Sequence, residues 1–264
     1  MAFVQAGGHK IEFERFGPQT GPERPVVVML HEGLGSVAMW RDFPAAVAER
    51  TGLPVVAYSR WGYGKSDPIK QFPHGTDYMH REAQVDLRDL LRTLDIRRPI
   101  LFGHSDGASI ALIYAGSGIE PAPLGVAVMA PHVFVEKVTT LSIAKARVAY
   151  EETDLRQKLA RYHADVDSAF FGWNVTWLLP QFAAWNIEAL VPKIACPILV
   201  IQGADDEYGT PKQLESIKSH SGGRAELVLL PACGHSPHRD QREATLNAFG
   251  RFAEKLTSQK ASAA

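Results

Sequence analysis

Short, almost wholly apolar runs recur along the chain at Val26–Leu30, Val55–Tyr58, Ile100–Phe102, Val126–Ala130, Ile198–Gln202 and Leu227–Leu230. Runs this brief and this apolar suit strands covered on both faces, as in a parallel sheet. Stretches with helical spacing lie between them. Tyr78–Leu94 has Asp77 as its predicted N-cap and Val85, Leu87, Leu90, Leu91 and Leu94 as an apolar stripe; Ala108–Ala115, Pro211–Ser219 and Arg242–Leu256 are further helices. Strand and helix alternating in this way predict an open α/β sheet with helices on both faces and right-handed crossovers. Ile11–Phe16 alternates apolar with polar residues and reads as a half-buried antiparallel edge strand.

The alternation stops between His132 and Val191. That segment has no strand-like run but holds Tyr150, Tyr162, Phe170, Phe171, Trp173, Trp177, Phe182 and Trp185. A helical insertion between two sheet strands reads as a lid over the carboxyl ends of the strands, the edge where open α/β sheets bind ligands. The expected division is a core of residues 1–131 and 192–264 with a helical cap at 132–191.

Composition removes several function classes. The 28 Lys+Arg against 29 Asp+Glu leave a formal charge of -1, with no excess of cations to neutralise phosphates or an anionic membrane surface. No apolar stretch approaches the roughly 20 residues of a spanning helix. MAFVQAGGHK lacks the basic-then-apolar pattern of a secretory leader. Two cysteines, Cys196 and Cys233, form neither a disulfide framework nor a metal spacing, and they read as buried thiols in a reducing compartment. The expectation is a cytoplasmic protein acting on a small molecule, with no nucleic acid, no membrane and no metal or other cofactor. The tail TSQKASAA is expected to fray.

The sharpest motif is Gly103-His104-Ser105-Asp106-Gly107. By chance a G-x-S-x-G appears in roughly one chain in ten of this length, so its context decides. It directly follows a predicted strand and opens a predicted helix, the setting in which the serine sits on a strained turn at the positive end of a helix. A serine hydroxyl needs a base. Among ten histidines, His235 follows the last strand, where a loop can carry it over the carboxyl edge. His238 reads as a surface cap of the next helix, His220 as solvated, and His104 as packing within the turn. The base needs a carboxylate to orient it. Asp206, in Gly203-Ala204-Asp205-Asp206, is favoured at the loop crest with Asp205 as its immediate rival. One oxyanion donor is expected at the amide of Asp106, the other in the loop His31–Ser36.

With these pieces together, the chain resembles the α/β-hydrolase family over nearly its whole length. The resembling elements are His31-Glu32-Gly33-Leu34-Gly35-Ser36, Arg60-Trp61-Gly62-Tyr63-Gly64-Lys65-Ser66, the GHSDG turn, the GADD loop and Gly234-His235. The resemblance implies an eight-stranded, mostly parallel sheet, a cofactor-free hydrolase with a Ser105–His235–Asp206 triad, and a cap inserted after the sixth strand. It also implies Gly33 as the second oxyanion donor and His31 as a brace for that loop. Glu32, Leu34, Trp173 and Trp177 are expected to border the substrate. Glu32 stands where the family usually has Gly, and Asp106 follows the nucleophile. If both carboxylates face the pocket, neutral or cationic substrates are favoured over bis-carboxylates.

The leading expectation is hydrolysis of a carboxylic ester or thioester of modest size through an acyl-enzyme. The same residues would serve C–C bond hydrolysis of a ring-cleavage product, for which a cap arginine (Arg147, Arg156 or Arg161) should bind a substrate carboxylate. They would also serve an amidase or aminopeptidase, or a receptor that keeps the triad without turnover.

Overall fold

The computed structural model describes residues 1–19 and 21–258 of the 264-residue chain. Eight strands form one sheet: β1 (Ala2–Ala6), β2 (His9–Phe16), β3 (Val26–Leu30), β4 (Val55–Tyr58), β5 (Pro99–His104), β6 (Gly125–Met129), β7 (Ile198–Gly203) and β8 (Ala225–Leu230), in the spatial order β1-β2-β4-β3-β5-β6-β7-β8. From β4 through β8 every neighbour pair is parallel, while β1 and β2 join antiparallel. The chain moves outward from β3 to β4 and then returns past β3 to β5. This reversal opens a crevice at the carboxyl ends of β3 and β5.

The helices are α1 (Phe43–Thr51), α2 (Tyr78–Arg81), α3 (Arg88–Thr93), α4 (Asp106–Gly116), α5 (Lys137–Glu152), α6 (Leu155–Leu159), α7 (Val166–Trp177), α8 (Lys212–His220), α9 (Pro237–Asp240) and α10 (Arg242–Ser258). Period-two alternation along the buried strands feeds two cores. In β3, Val26, Val28 and Leu30 join the side chains of α4, α8 and the 132–191 segment, while Val27 and Met29 join those of α1 and α10. Between β6 and β7 the chain forms α5, α6, α7 and two 3₁₀ turns, Pro180–Ala184 and Glu188–Lys193, the second running past the expected boundary at 191.

Four expectations need correcting. Ile11–Phe16 is not the edge, because β1 pairs outside it with Val4 opposite Ile11. Leu227–Leu230 is not covered on both faces: β8 is the edge strand, and Leu229 is 50% exposed. The helical region after Asp77 is interrupted by a π-helical stretch, Glu82–Leu87. The wider turn rotates the following residues, so Val85 is 47% exposed while Asp86 turns inward, and the Asp77 side chain makes no cap hydrogen bond. Of the tail expected to fray, Thr257 and Ser258 continue α10, and residues 259–264 lie outside the described residues.

Candidate active site

Ser105 occupies the single residue between β5 and α4 at φ 53° and ψ −116°, a left-handed conformation costly for any side chain. Its neighbours are glycines because backbone crowds them. A Cβ on Gly103 would lie 2.3 Å from the carbonyl oxygen of Gly107, and one on Gly107 would lie 2.3 Å from that of Leu30. Neither obstacle is a side chain that could move aside, so the turn tolerates only glycine at both places.

The loops after β7 and β8 bring two more side chains to this point. The Ser105 hydroxyl lies 2.9 Å from His235 Nε2, and His235 Nδ1 lies 2.8 Å from Asp206 Oδ1. Asp206 Oδ1 also accepts the N–H groups of Tyr208 and Gly209 at 2.8 and 3.1 Å, and Oδ2 accepts from Gln202 at 3.2 Å. Burial alone would raise the pKa of this carboxyl. The His235 hydrogen bond and charge, with the Tyr208 amide, outweigh burial and hold it below its ordinary value. The rival Asp205 is exposed, and its backbone N–H donates to the Cys233 carbonyl. Gly203 permits this meeting of loops, since a Cβ there would lie 2.1 Å from the Cys233 carbonyl oxygen.

The loop after β3 is braced as the motif suggests. His31 Nδ1–H donates to the Glu32 carbonyl at 2.7 Å, and its Nε2 accepts the Arg60 N–H at 2.9 Å. Burial and the Arg60 charge keep this ring neutral, which suits a nitrogen that accepts. Among the described residues, the N–H groups of Gly33 and Asp106 donate to no protein acceptor. The Trp173 indole lies against Gly33, so close that a Cβ would stand 2.3 Å from Nε1. Leu34 is half-buried, and its carbonyl accepts from His163.

The two nearby carboxylates differ in their surroundings. Asp106 is buried and accepts the Tyr78 hydroxyl at 2.6 Å and the Trp177 indole N–H at 3.2 Å, with Arg60 Nη2 at 3.6 Å. Burial raises its pKa against these partners. Arg60 also pairs with Glu82 at 3.0 Å. Glu32 Oε2 lies 3.4 Å from His104 Nδ1, and His104 holds this carboxyl well below the usual range although burial opposes it. Asp106 is thus paired inside the protein, while Glu32 faces the His104 ring with about a quarter of its side chain exposed.

Several residues around the centre escaped the sequence reading. His132 packs 5.8 Å from the His235 ring and edge-on to Trp177, and burial lowers its pKa to about 3. Tyr208 lies 4.7 Å from the His235 ring. His238 is not a surface cap but a buried ring packed on Trp40, Phe43 and His104. Arg60 and His104 lie inside the quoted motifs and Tyr78 and Glu82 inside a predicted helix, but nothing local to them marks a buried polar network. The arginines Arg147 and Arg156 are exposed and paired with Glu151 and Asp167, and Arg161 is exposed. A groove of about 800 Å³ beside the insertion has Trp61, His74, Tyr78 and Arg81 in its wall. It reaches Tyr78, and so the partner of Asp106, but Ser105 is not part of its lining. Among the described residues, no cluster of three or more His, Cys, Asp or Glu could hold a metal, and no helix is long and apolar enough to cross a membrane.

A family model described as the alpha/beta hydrolase family matches residues 27–248. Protein phosphatase methylesterase 1 of Bos taurus is 31% identical over 110 residues, which cover 40% of this chain and 28% of that relative; the chain thus spans less than a third of its length. The sn-1-specific diacylglycerol lipase ABHD11 of Mus musculus is 23% identical over 258 residues, covering 86% of this chain and 80% of the relative. In three dimensions the enol-lactonase from Burkholderia xenovorans LB400 superposes with a TM-score of 0.75 at 20% identity, over 95% of this chain and 99% of that one.

Proposed function

Because the chain belongs to the α/β hydrolase family, we propose that it cleaves a carboxylic ester or thioester of small to medium, apolar or aromatic character through an acyl-enzyme. The observation that carries this reading is the unbroken hydrogen-bond chain from Ser105 through His235 to Asp206. Ser105 Oγ attacks the acyl carbon as His235 Nε2 takes its proton. The amides of Gly33 and Asp106 receive the oxyanion. The resulting imidazolium, stabilised by Asp206, protonates the departing alcohol or thiol. Water then attacks the acyl-serine with His235 as base, releasing the acid and restoring the hydroxyl. Two free amides in a water-poor site account for roughly 3–4 kcal/mol each of transition-state stabilisation.

In this reading residues 132–191 are the cap, and Trp173 and Trp177 approach the acyl pocket from it. Both relatives named above act on esters by their names, which agrees with an ester substrate. C–C hydrolysis of a bis-carboxylate fits less well, since Arg147 and Arg156 are occupied on the surface and Arg161 faces solvent. Recognition of a substrate amine by Asp106 also fits less well, since that carboxylate already has partners. A reducing, cytoplasmic setting is consistent with free Cys196 and Cys233.

The test is active-site labelling with a fluorophosphonate, followed by turnover of p-nitrophenyl acetate. Wild-type protein is expected to label at Ser105 and to turn over repeatedly, and Ser105→Ala to do neither. Turnover that survives Ser105→Ala removes the reading. Single turnover with a trapped adduct replaces it with the receptor reading.

A further inference from the structure

His235 lies in the loop between β8 and α9, and its peptide group is held at both ends. Its N–H donates to Glu207 Oε2 at 3.0 Å, and its C=O accepts from His104 Nε2 at 2.7 Å. A carbonyl can only accept, so Nε2 of His104 carries a proton. The other nitrogen, Nδ1, faces Glu32 Oε2 at 3.4 Å and has no hydrogen-bond partner among the described residues at ordinary geometry. A bare Nδ1 there would set a lone pair against a carboxylate oxygen in a buried site. The Glu32 carboxylate therefore favours the ring when it presents an N–H on this side. The ring cannot turn to water, because it is 1% exposed and enclosed by Trp40, His235 and His238 at centroid distances of 6.3, 5.3 and 5.1 Å.

Glu32 is packed against its own loop, with about a quarter of its side chain exposed. Its carboxylate fills the space a side chain on Gly35 would need, with Oε2 only 2.4 Å from where that Cβ would stand. Its backbone carbonyl receives both His31 Nδ1–H and Arg60 Nη2–H, at 2.7 and 3.0 Å. Gly33 follows it directly. The contact from Glu32 to His104 to the His235 carbonyl thus spans the loop after β3, the end of β5 and the loop after β8.

We propose that Glu32 and His104 form a positioning pair that ties the loop bearing the Gly33 amide to the loop bearing His235, and so sets the spacing between oxyanion donor and general base. This inference rests on the serine-hydrolase reading and refines it. Neither residue touches the reacting atoms in it. Glu32 faces one edge of the His104 ring, and the Nε2–H at the other edge holds the His235 peptide.

The experiment compares Glu32→Met, Glu32→Gln, His104→Phe and the double variant Glu32→Met/His104→Phe by steady-state hydrolysis of p-nitrophenyl acetate in the full chain. Methionine keeps the length of Glu32 without a hydrogen bond, and kcat is expected to fall about 10- to 100-fold with KM changed less than about twofold. Glutamine can donate its amide N–H to Nδ1 while Nε2–H stays on the His235 carbonyl, so it is expected to recover kcat to within about threefold of wild type. The double variant should be no slower than the slower single one, because both remove the same link. A wild-type kcat in Glu32→Met, a Glu32→Gln as slow as Glu32→Met, or multiplicative losses in the double variant would each overturn the pair. Fluorophosphonate labelling of the wild type separates the two levels. Failure to label removes the hydrolase reading itself, whereas normal labelling with equal kcat across the Glu32 series removes only the positioning pair.

Discussion

Replacing Asp206 with asparagine isolates the charge at the end of the hydrogen-bond chain. The amide oxygen can still accept from Tyr208 and Gly209, as Oδ1 now does at 2.8 and 3.1 Å, so the loop keeps its shape. What disappears is the negative charge beside an imidazolium formed during attack. With the contact at 2.8 Å, the charge centres lie about 4 Å apart, and at an effective dielectric near 20 their attraction is about 4 kcal/mol. At about 1.4 kcal/mol per factor of ten, kcat should fall roughly a thousandfold. A second effect acts in the same direction. The new NH₂ would replace Oδ2 and face the Gln202 amide N–H now at 3.2 Å, donor against donor. Flipping the side chain relieves that clash only by presenting NH₂ to His235 and forcing the wrong tautomer. The assay is p-nitrophenyl acetate turnover at pH 8, with Asp205→Asn as the control expected to stay within about twofold of wild type. An Asp206→Asn enzyme that keeps more than about a tenth of kcat, or an Asp205→Asn enzyme that loses as much, would refute the assignment of the acid.

Three further expectations follow from buried contacts. Gly33→Ala must displace either the Trp173 ring, 2.3 Å from the new Cβ, or the amide itself, and kcat should drop about 100-fold with fluorophosphonate labelling slowed in parallel; unchanged rates would remove Gly33 from the site. Asp86, which is buried beside Glu82 without a hydrogen-bond partner for either oxygen, has its pKa raised from 3.8 to about 7, by burial first and then by Glu82. A carboxyl raised in the folded state destabilises the fold progressively as pH climbs from about 4 to about 7, by up to about 4 kcal/mol, and has no effect below that window. Asp86→Asn should therefore raise unfolding free energy at pH 8 but not at pH 3.5, and equal effects at both would contradict the burial argument. Trp177→Phe removes one donor from the buried Asp106 carboxylate while keeping an aromatic ring, and should cost about 1–3 kcal/mol in urea unfolding; no loss would mean that Tyr78 and Arg60 alone satisfy Asp106.

The parts of the molecule legible from the chain alone are those whose causes are local. The apolar runs of β3 to β7 announce strands because a strand covered on both faces needs no polar residue, and Gly103 and Gly107 announce a tight turn because backbone crowds both positions. By contrast, β1 escaped notice, since Ala2–Ala6 is half-exposed and has no apolar run to mark it. The π-helical stretch at Glu82–Leu87 also left no trace in the periodicity, and it moved Val85 outward and Asp86 inward. His238 looked like a surface residue after Pro237, but Trp40 and Phe43, nearly two hundred positions earlier, close over it.

By itself the sequence determined the alternation of the buried strands with helices, the serine at the strained turn, and the candidate acid and base in the two late loops, because each depends on residues a few positions apart. The tertiary structure alone decided which aspartate meets His235 and what becomes of the extra carboxylates. Asp106 finds Tyr78 at a separation of 28 residues and Trp177 at 71, and His104 finds the His235 carbonyl at 131. Such partners are chosen by the reversal of strand order between β3 and β5 and by the insertion folded over it. A buried charge takes whatever donor that packing brings within reach, and no nearby residue records which one it is.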